Sequence, residues 1–186
     1  MFVLYALVIG LILGFVLGGR AAGLAALQFR WSGLMLGGLF FQVLLFSDPV
    51  AGRIGPLGAP LYVASTAVVL AAVLANWRIP GLPIVALGAA SNLLAIVANG
   101  GYMPAARAAM VALGKTDPIV YSNSAVVETP ALAPLTDIFA LPTWLPFTNV
   151  FSIGDVLIAV GVIVTIVVAM RSVRDPETPP GTPVTT

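Results

Sequence analysis

Apolar and polar positions along the chain alternate on a long scale: five apolar runs are separated by three short connections and one long one. The runs cover residues 2–19, 31–46, 57–76, 82–98 and 153–170, each close to the roughly 17–25 residues that carry a helix across about 30 Å of hydrocarbon. An all-α membrane protein of about five transmembrane helices is therefore expected. Residues 1–171 form its single transmembrane helical domain and 172–186 a Pro-rich cytoplasmic tail. The runs at 31–46 and 82–98 are short, which a bilayer meets by tilt of the others or local thinning. The first run is followed by Ala21, Ala22 and Gly23, as a cleaved signal peptide would be. Its apolar stretch is longer than a usual signal core and no basic segment precedes it, so a retained helix is expected.

The long connection, residues 99–151, is too large to be a tether between adjacent helices. Its first part, 104–113, predicts a short interfacial helix. Pro104 suits a first turn, Gly114 a stop, and Met103, Ala106, Met110 and Leu113 recur at helical spacing. The second part sets Pro118, Pro130, Pro134, Pro142 and Pro146 among Ile138, Phe139, Leu141, Trp144, Leu145 and Phe147. These prolines forbid a continuous helix, yet the segment is too apolar for a solvated linker. It is expected to pack on the helix ends or against another protein.

Composition sharpens this picture. The 186 residues are 60% hydrophobic and 8% charged, and a mean hydropathy of +1.08 excludes an ordinary soluble domain. Eight Lys and Arg against seven Asp and Glu leave no basic field for a nucleic-acid backbone. With no Cys and no His, disulfides, thiol chemistry, zinc sites and histidine-ligated haem are excluded, and no cofactor is expected. Arg20, Arg30, Arg78, Arg171 and Arg174 fall on one side of a five-span topology, and Arg53, Arg107 and Lys115 on the other. Cations near helix ends resist translocation, so the N-terminus is expected outside and the C-terminus in the cytoplasm. Trp31 and Trp77 mark the inner boundary, and Tyr5, Tyr62, Tyr102 and Trp144 the outer one, as amphipathic interfacial rings do.

Candidate chemistry is sparse. Gly10, Gly14 and Gly18 repeat at intervals of four in the first run, and Gly33 with Gly37 in the second, so these faces are expected to admit close helix packing, inside the bundle or with a partner. The polar residues within runs are Gln42, Ser65, Thr66, Ser91, Asn92 and Thr165. Amides in hydrocarbon require partners, as interhelical bonds or as part of a substrate site. No Asp, Glu, Lys or Arg sits at the centre of a run, which leaves a proton relay or voltage sensor without a candidate. Ser152 and Asp155 stand three apart at the start of the last run. That is the spacing of a capping box, with the carboxylate facing the positive helix end. An intramembrane aspartyl protease would need a glycine where Ser152 stands and a second helical Asp to share a proton. Asn99, Gly100 and Gly101 predict a sharp corner whose N–H groups are also able to face an anion or headgroup.

The ordered set Gly18-Gly19-Arg20, Arg30-Trp31, Asn92, Asn99-Gly-Gly-x-Met-Pro104, Asp137 and Phe151-Ser-Ile-Gly-Asp155 resembles the domain of unknown function 5317 family of small bacterial integral membrane proteins. The resemblance runs over nearly the whole chain to Arg171, with departures from Tyr121 to Pro134 and in the tail. It supplies no reaction. It implies that Asn99, Asp137 and Asp155 belong to one outer-face arrangement.

Two functions compete on these residues. The first is a non-catalytic accessory or assembly subunit of a larger bacterial membrane complex, with membrane lipids and other membrane subunits as partners. The second is a small-solute or lipid carrier using Gln42, Asn92, Asn99 and Asp155. An enzyme, a third class, would require Asp137 and Asp155 to meet at one site.

Overall fold

Apolar runs become helices here, and backbone chemistry rather than hydropathy decides where each one stops. The computed structural model describes residues 2–114, 124–127 and 129–172. Lys115, Pro118, Arg174 and the tail beyond Ser172 lie outside the described residues. The first helix, α1 (Phe2–Val16), ends before the predicted residue 19. Gly18 takes φ 77°, its N–H reaches the Phe15 carbonyl at 3.0 Å, and Gly19 N–H reaches Gly14 at 2.8 Å. This is a Schellman stop, in which a left-handed glycine lets two orphan carbonyls be satisfied. Gly18 accordingly terminates the helix, and a Cβ built on it would meet nothing within 4 Å. Its expected part in packing is corrected.

After a single turn, α2 (Ala22–Ala25), come α3 (Ser32–Leu45) and a helix absent from the sequence reading, α4 (Asp48–Ile54). A 3-10 turn (Gly55–Leu57) leads into α5 (Gly58–Leu74), and α6 (Leu82–Ala98) keeps its predicted bounds. The long connection then holds β1 (Met103–Ala105), α7 (Arg107–Ala112), β2 (Ser124–Val126), a 3-10 turn (Ala133–Leu135), β3 (Phe139–Ala140) and β4 (Val150–Phe151). The last helix is α8 (Ile153–Ser172). Two stretches, Gly55–Leu74 and Ile153–Ser172, are long and apolar enough to cross a membrane, while Phe2–Val16, Ser32–Leu45 and Leu82–Ala98 are shorter apolar helices. The fold is mostly helical, and its apolar helices point to membrane association.

Neighbouring long helices follow the order α1, α8, α6, α5, α3. Gly10 lies against Ile163 and Ile166 and Gly14 against Met170, so α1 runs parallel to α8. Gly81 lies against Gly161 and Gly88 against Gly154, so α6 runs antiparallel to α8. These four glycines, seven apart on each helix, let the two backbones touch, and a Cβ on Gly154 would meet the Gly88 carbonyl at 2.8 Å. The expected face of Gly33 and Gly37 meets nothing within 4 Å, and the contact of α3 with α5 is made one residue over, by Gly38 against Val69. Gln42 Nε2 donates to Ser65 Oγ and Thr66 Oγ1 at 3.3 and 3.2 Å, tying α3 to α5.

The described residues of the connection form short paired strands and one short α-helix. Pro104 is in a strand, not a first helical turn: β1 pairs in parallel with β2, Met103 opposite Ser124. Asp137 N–H donates to the Pro104 carbonyl at 2.9 Å, and Ala106 N–H to the Asp137 carbonyl at 2.9 Å. Helix α7 begins only after extended Ala106 (ψ 133°). Its Ala109 and Met110 pack with Ala105 and Val150. That apolar face is covered by the connection itself, while Val111 of the same helix is exposed. β3 and β4 pair antiparallel, Phe139 opposite Phe151. Tyr5 of α1 donates its hydroxyl to the Pro146 carbonyl, which docks the Pro-rich part onto the first helix.

Candidate functional site

The start of α8 is built as the spacing of Ser152 and Asp155 implies. Asp155 N–H donates to Ser152 Oγ and Ser152 N–H to Asp155 Oδ2, both at 3.0 Å, a reciprocal capping box. Asn92 of α6 joins it from the side. Its Nδ2 donates to Asp155 Oδ1 at 2.9 Å and its Oδ1 accepts from Ser152 Oγ at 2.8 Å. Gly154 makes this possible, since a Cβ there would meet the Asn92 amide. Ser152 is fully buried, so its hydroxyl requires the partners it has.

Above this network lies a cavity of about 330 Å³, lined by Phe2, Val3, Leu4, Tyr62, Asn92, Ile96, Met103, Asp137, Asn149, Val150 and Asp155. Asp137 reaches it from the connection, on the strand-like segment bridged to Ala105, and is buried at 6% exposure. Asp137 and Asp155 thus line one small space, together with Asn92, Asn149 and several apolar residues. No Lys or Arg lines it among the described residues, and among them no group of three or more His, Cys, Asp or Glu stands together for a metal ion.

Asn99, Gly100 and Gly101 do not line this cavity. Asn99 Nδ2 donates to the Ala95 and Ala131 carbonyls at 2.8 and 2.9 Å, and its Oδ1 accepts from Ala131 N–H at 2.9 Å. Its amide is used in full, clamping the connection to the end of α6. Gly100 (φ 74°) and Gly101 (φ 92°) close α6 with a second Schellman stop, Gly101 N–H reaching Ile96 at 2.8 Å. The corner is structural in what it touches, and Gly101 abuts Ala59 of α5. Of the three residues expected to form one arrangement, Asp137 and Asp155 line the same cavity and Asn99 does not. Of the four residues named for a carrier, Asn92 and Asp155 meet, while Gln42 and Asn99 are engaged elsewhere.

Three features escaped sequence reasoning. Asn149 lines the cavity, and nothing in its local pattern marks it. The glycines of the α6–α8 contact repeat at seven rather than four, two full turns along one helix face. Asn76 is buried at 5% exposure, with Nδ2 donating to Arg30 and Ala72 carbonyls at 2.8 Å and Oδ1 accepting from Arg30 N–H at 2.7 Å. The signal for it was its position, an amide at the end of an apolar run.

Comparison with known families finds one whose model matches residues 26–167, the family of unknown function DUF5317. The match begins after α1, so the Gly18-Gly19-Arg20 element lies outside it. No curated protein and no solved structure matches the chain.

Proposed function

The chain belongs to the DUF5317 family, and on that premise we propose that it is a non-catalytic subunit, accessory or assembly-related, of a larger complex in the bacterial cytoplasmic membrane. All five long helices cross, with the N-terminus outside and the C-terminus in the cytoplasm. Three observations support the crossing. Consecutive long helices alternate in direction, the folded connection sits at one end, and Arg20, Arg30, Arg78 and Arg171 lie at the other.

The observation that carries the subunit reading is the outer face of α3. Among the described residues this edge helix packs chiefly on α5, and it leaves Gly33 and Gly37 open beside Leu36, Phe40 and Val43, exposed at 69, 64 and 69%. Two glycines one turn apart in an apolar helix form a groove that another helix fills and that lipid chains fill poorly. At 14 residues α3 spans about 21 Å at 1.5 Å per residue, short of the hydrocarbon core. A short helix is accommodated by thinning the bilayer or by associating with another.

The test is a pull-down of a tagged copy from its native host in gentle detergent, with quantitative mass spectrometry. Wild type is expected to bring down a stoichiometric membrane protein, and the double variant Gly33→Leu, Gly37→Leu to lose it at unchanged melting temperature. A wild type that purifies alone, or a double variant that keeps its partner, overturns the reading.

A further inference from the structure

At the end of the bundle away from the connection, Asn76 brings two short sequence elements together. Its amide oxygen accepts from the Arg30 N–H at 2.7 Å and its nitrogen donates to the Arg30 carbonyl at 2.8 Å, across 46 residues of chain. Trp31 follows Arg30, and Trp77 and Arg78 follow Asn76. An Arg-Trp pair leading into α3 and a Trp-Arg pair just past α5 are thereby fixed at one edge of the bundle.

All four side chains are exposed, Trp31 at 55% and Trp77 at 61%. The Arg78 guanidinium carbon lies 6.0 Å from the centroid of the Trp77 ring, a cation–π contact that restrains the arginine without consuming any of its five N–H donors. Among the described residues, neither the Arg30 nor the Arg78 guanidinium makes a hydrogen bond or an ion pair. Asp48, Asp137 and Asp155 are the acids among those residues, and all three belong to the opposite end of the bundle.

Two planar forks without acid partners are complementary to an anion, and phosphate oxygens match guanidinium geometry two bonds at a time. The rings point to a phosphate carried by a lipid, since an interfacial indole keeps its N–H wet and its face against hydrocarbon. One turn further into the bundle, Leu34 and Leu74 are exposed at 50 and 51%. The surface thus passes from cation to aromatic ring to aliphatic side chain, in the order of headgroup, interface and acyl chain. A free phosphate would use only the first of these.

We infer that Arg30, Trp31, Trp77 and Arg78, held together by Asn76, form a binding site for an anionic membrane phospholipid. The two guanidiniums take its phosphodiester, and its chains lie along Leu34 and Leu74 of α3 and α5. The site rests on the membrane crossing proposed above, and does not depend on a partner protein at α3.

The experiment is native mass spectrometry of the full chain in mild detergent, titrated separately with phosphatidylglycerol, phosphatidylcholine of the same acyl chains, and inorganic phosphate. Wild type is expected to retain one phosphatidylglycerol at least tenfold more tightly than phosphatidylcholine, and to retain no phosphate. Arg30→Gln and Arg78→Gln should each lower phosphatidylglycerol affinity at least fivefold and leave phosphatidylcholine unchanged. Arg171→Gln removes the same charge from the same end, on α8 beyond α6, and should change affinity less than twofold. Equal affinity for the two lipids, retention of inorganic phosphate, or an equal loss from Arg171→Gln overturns the site. Selectivity that emerges only when Asp175→Asn and Glu177→Gln neutralise the tail would make the chain's own acids the occupant, and overturns it too. The crossing is read separately in spheroplasts, since the chain has no Cys of its own. A membrane-impermeant maleimide is expected to label Thr143→Cys and not Gln28→Cys. With that pattern, loss of lipid selectivity overturns the site alone, whereas labelling of both positions overturns the crossing and the site with it.

Discussion

Asn76 and Asn99 perform the same operation at opposite ends of the bundle. Each sits just past the end of a long helix, returns one N–H to a carbonyl four residues back, and grips both backbone groups of a distant residue, Arg30 for Asn76 and Ala131 for Asn99. In each case the residue after the gripped one is a non-glycine in the left-handed region, Trp31 at φ 57° and Leu132 at φ 53°. In each case a helical turn then begins, α3 at Ser32 and the 3-10 turn at Ala133. A left-handed non-glycine persists only where its surroundings over-determine it, and the amide clamp supplies that constraint. The pair teaches that a side chain amide at a helix end can replace a missing backbone neighbour, and that such an amide belongs to the fold whether or not it sits in a recognisable motif.

The two clamps differ in burial, and that difference should set the cost of breaking them. Asn76 is almost fully enclosed and its bonds to the Arg30 N–H and carbonyl are part-buried, so Asn76→Leu leaves these groups poorly satisfied; a loss of about 2 kcal/mol is expected, read as a lowered detergent-phase melting temperature. Asn99 holds Ala131 through solvent-exposed bonds, so water replaces the amide in Asn99→Ala and the loss should be about 1 kcal/mol. Equal losses from the two variants would break the comparison. The smallest effect sharpens it: Leu132→Gly removes the left-handed penalty of about 1 kcal/mol, partly offset by glycine's extra freedom in the unfolded chain. A net gain of a few tenths of a kcal/mol at most is expected, and a clear loss would mean that the Leu132 side chain, 48% exposed, contributes contacts of its own.

Much of this was legible along the chain. The bounds of α6 follow from Gly81 before the apolar run, Pro83 in its first turn and Asn99-Gly100-Gly101 after it. The capping box of α8 follows from two residues three apart. Less legible were α4, the strand at Met103–Ala105 and the stop at Gly18. In the connection, Met103 and Met110 fit helical spacing equally well before and after the pairing of β1 with β2 is known, and only that pairing makes Pro104 extended.

By itself the sequence determined the local chemistry: apolar runs of helical length, glycines and asparagines where helices end, a Ser–Asp pair that caps the last helix, and the absence of Cys and His. Each of these depends on residues within about one or two helical turns, where the chain's own geometry sets the distances. The tertiary structure alone decided that glycines seven apart rather than four make the α6–α8 contact, that Asn76 meets Arg30, and that Asp137 reaches the cavity of Asp155. Those meetings join residues far apart in the chain. Spacing within one helix says which side chains share a face, but not which other helix that face will meet.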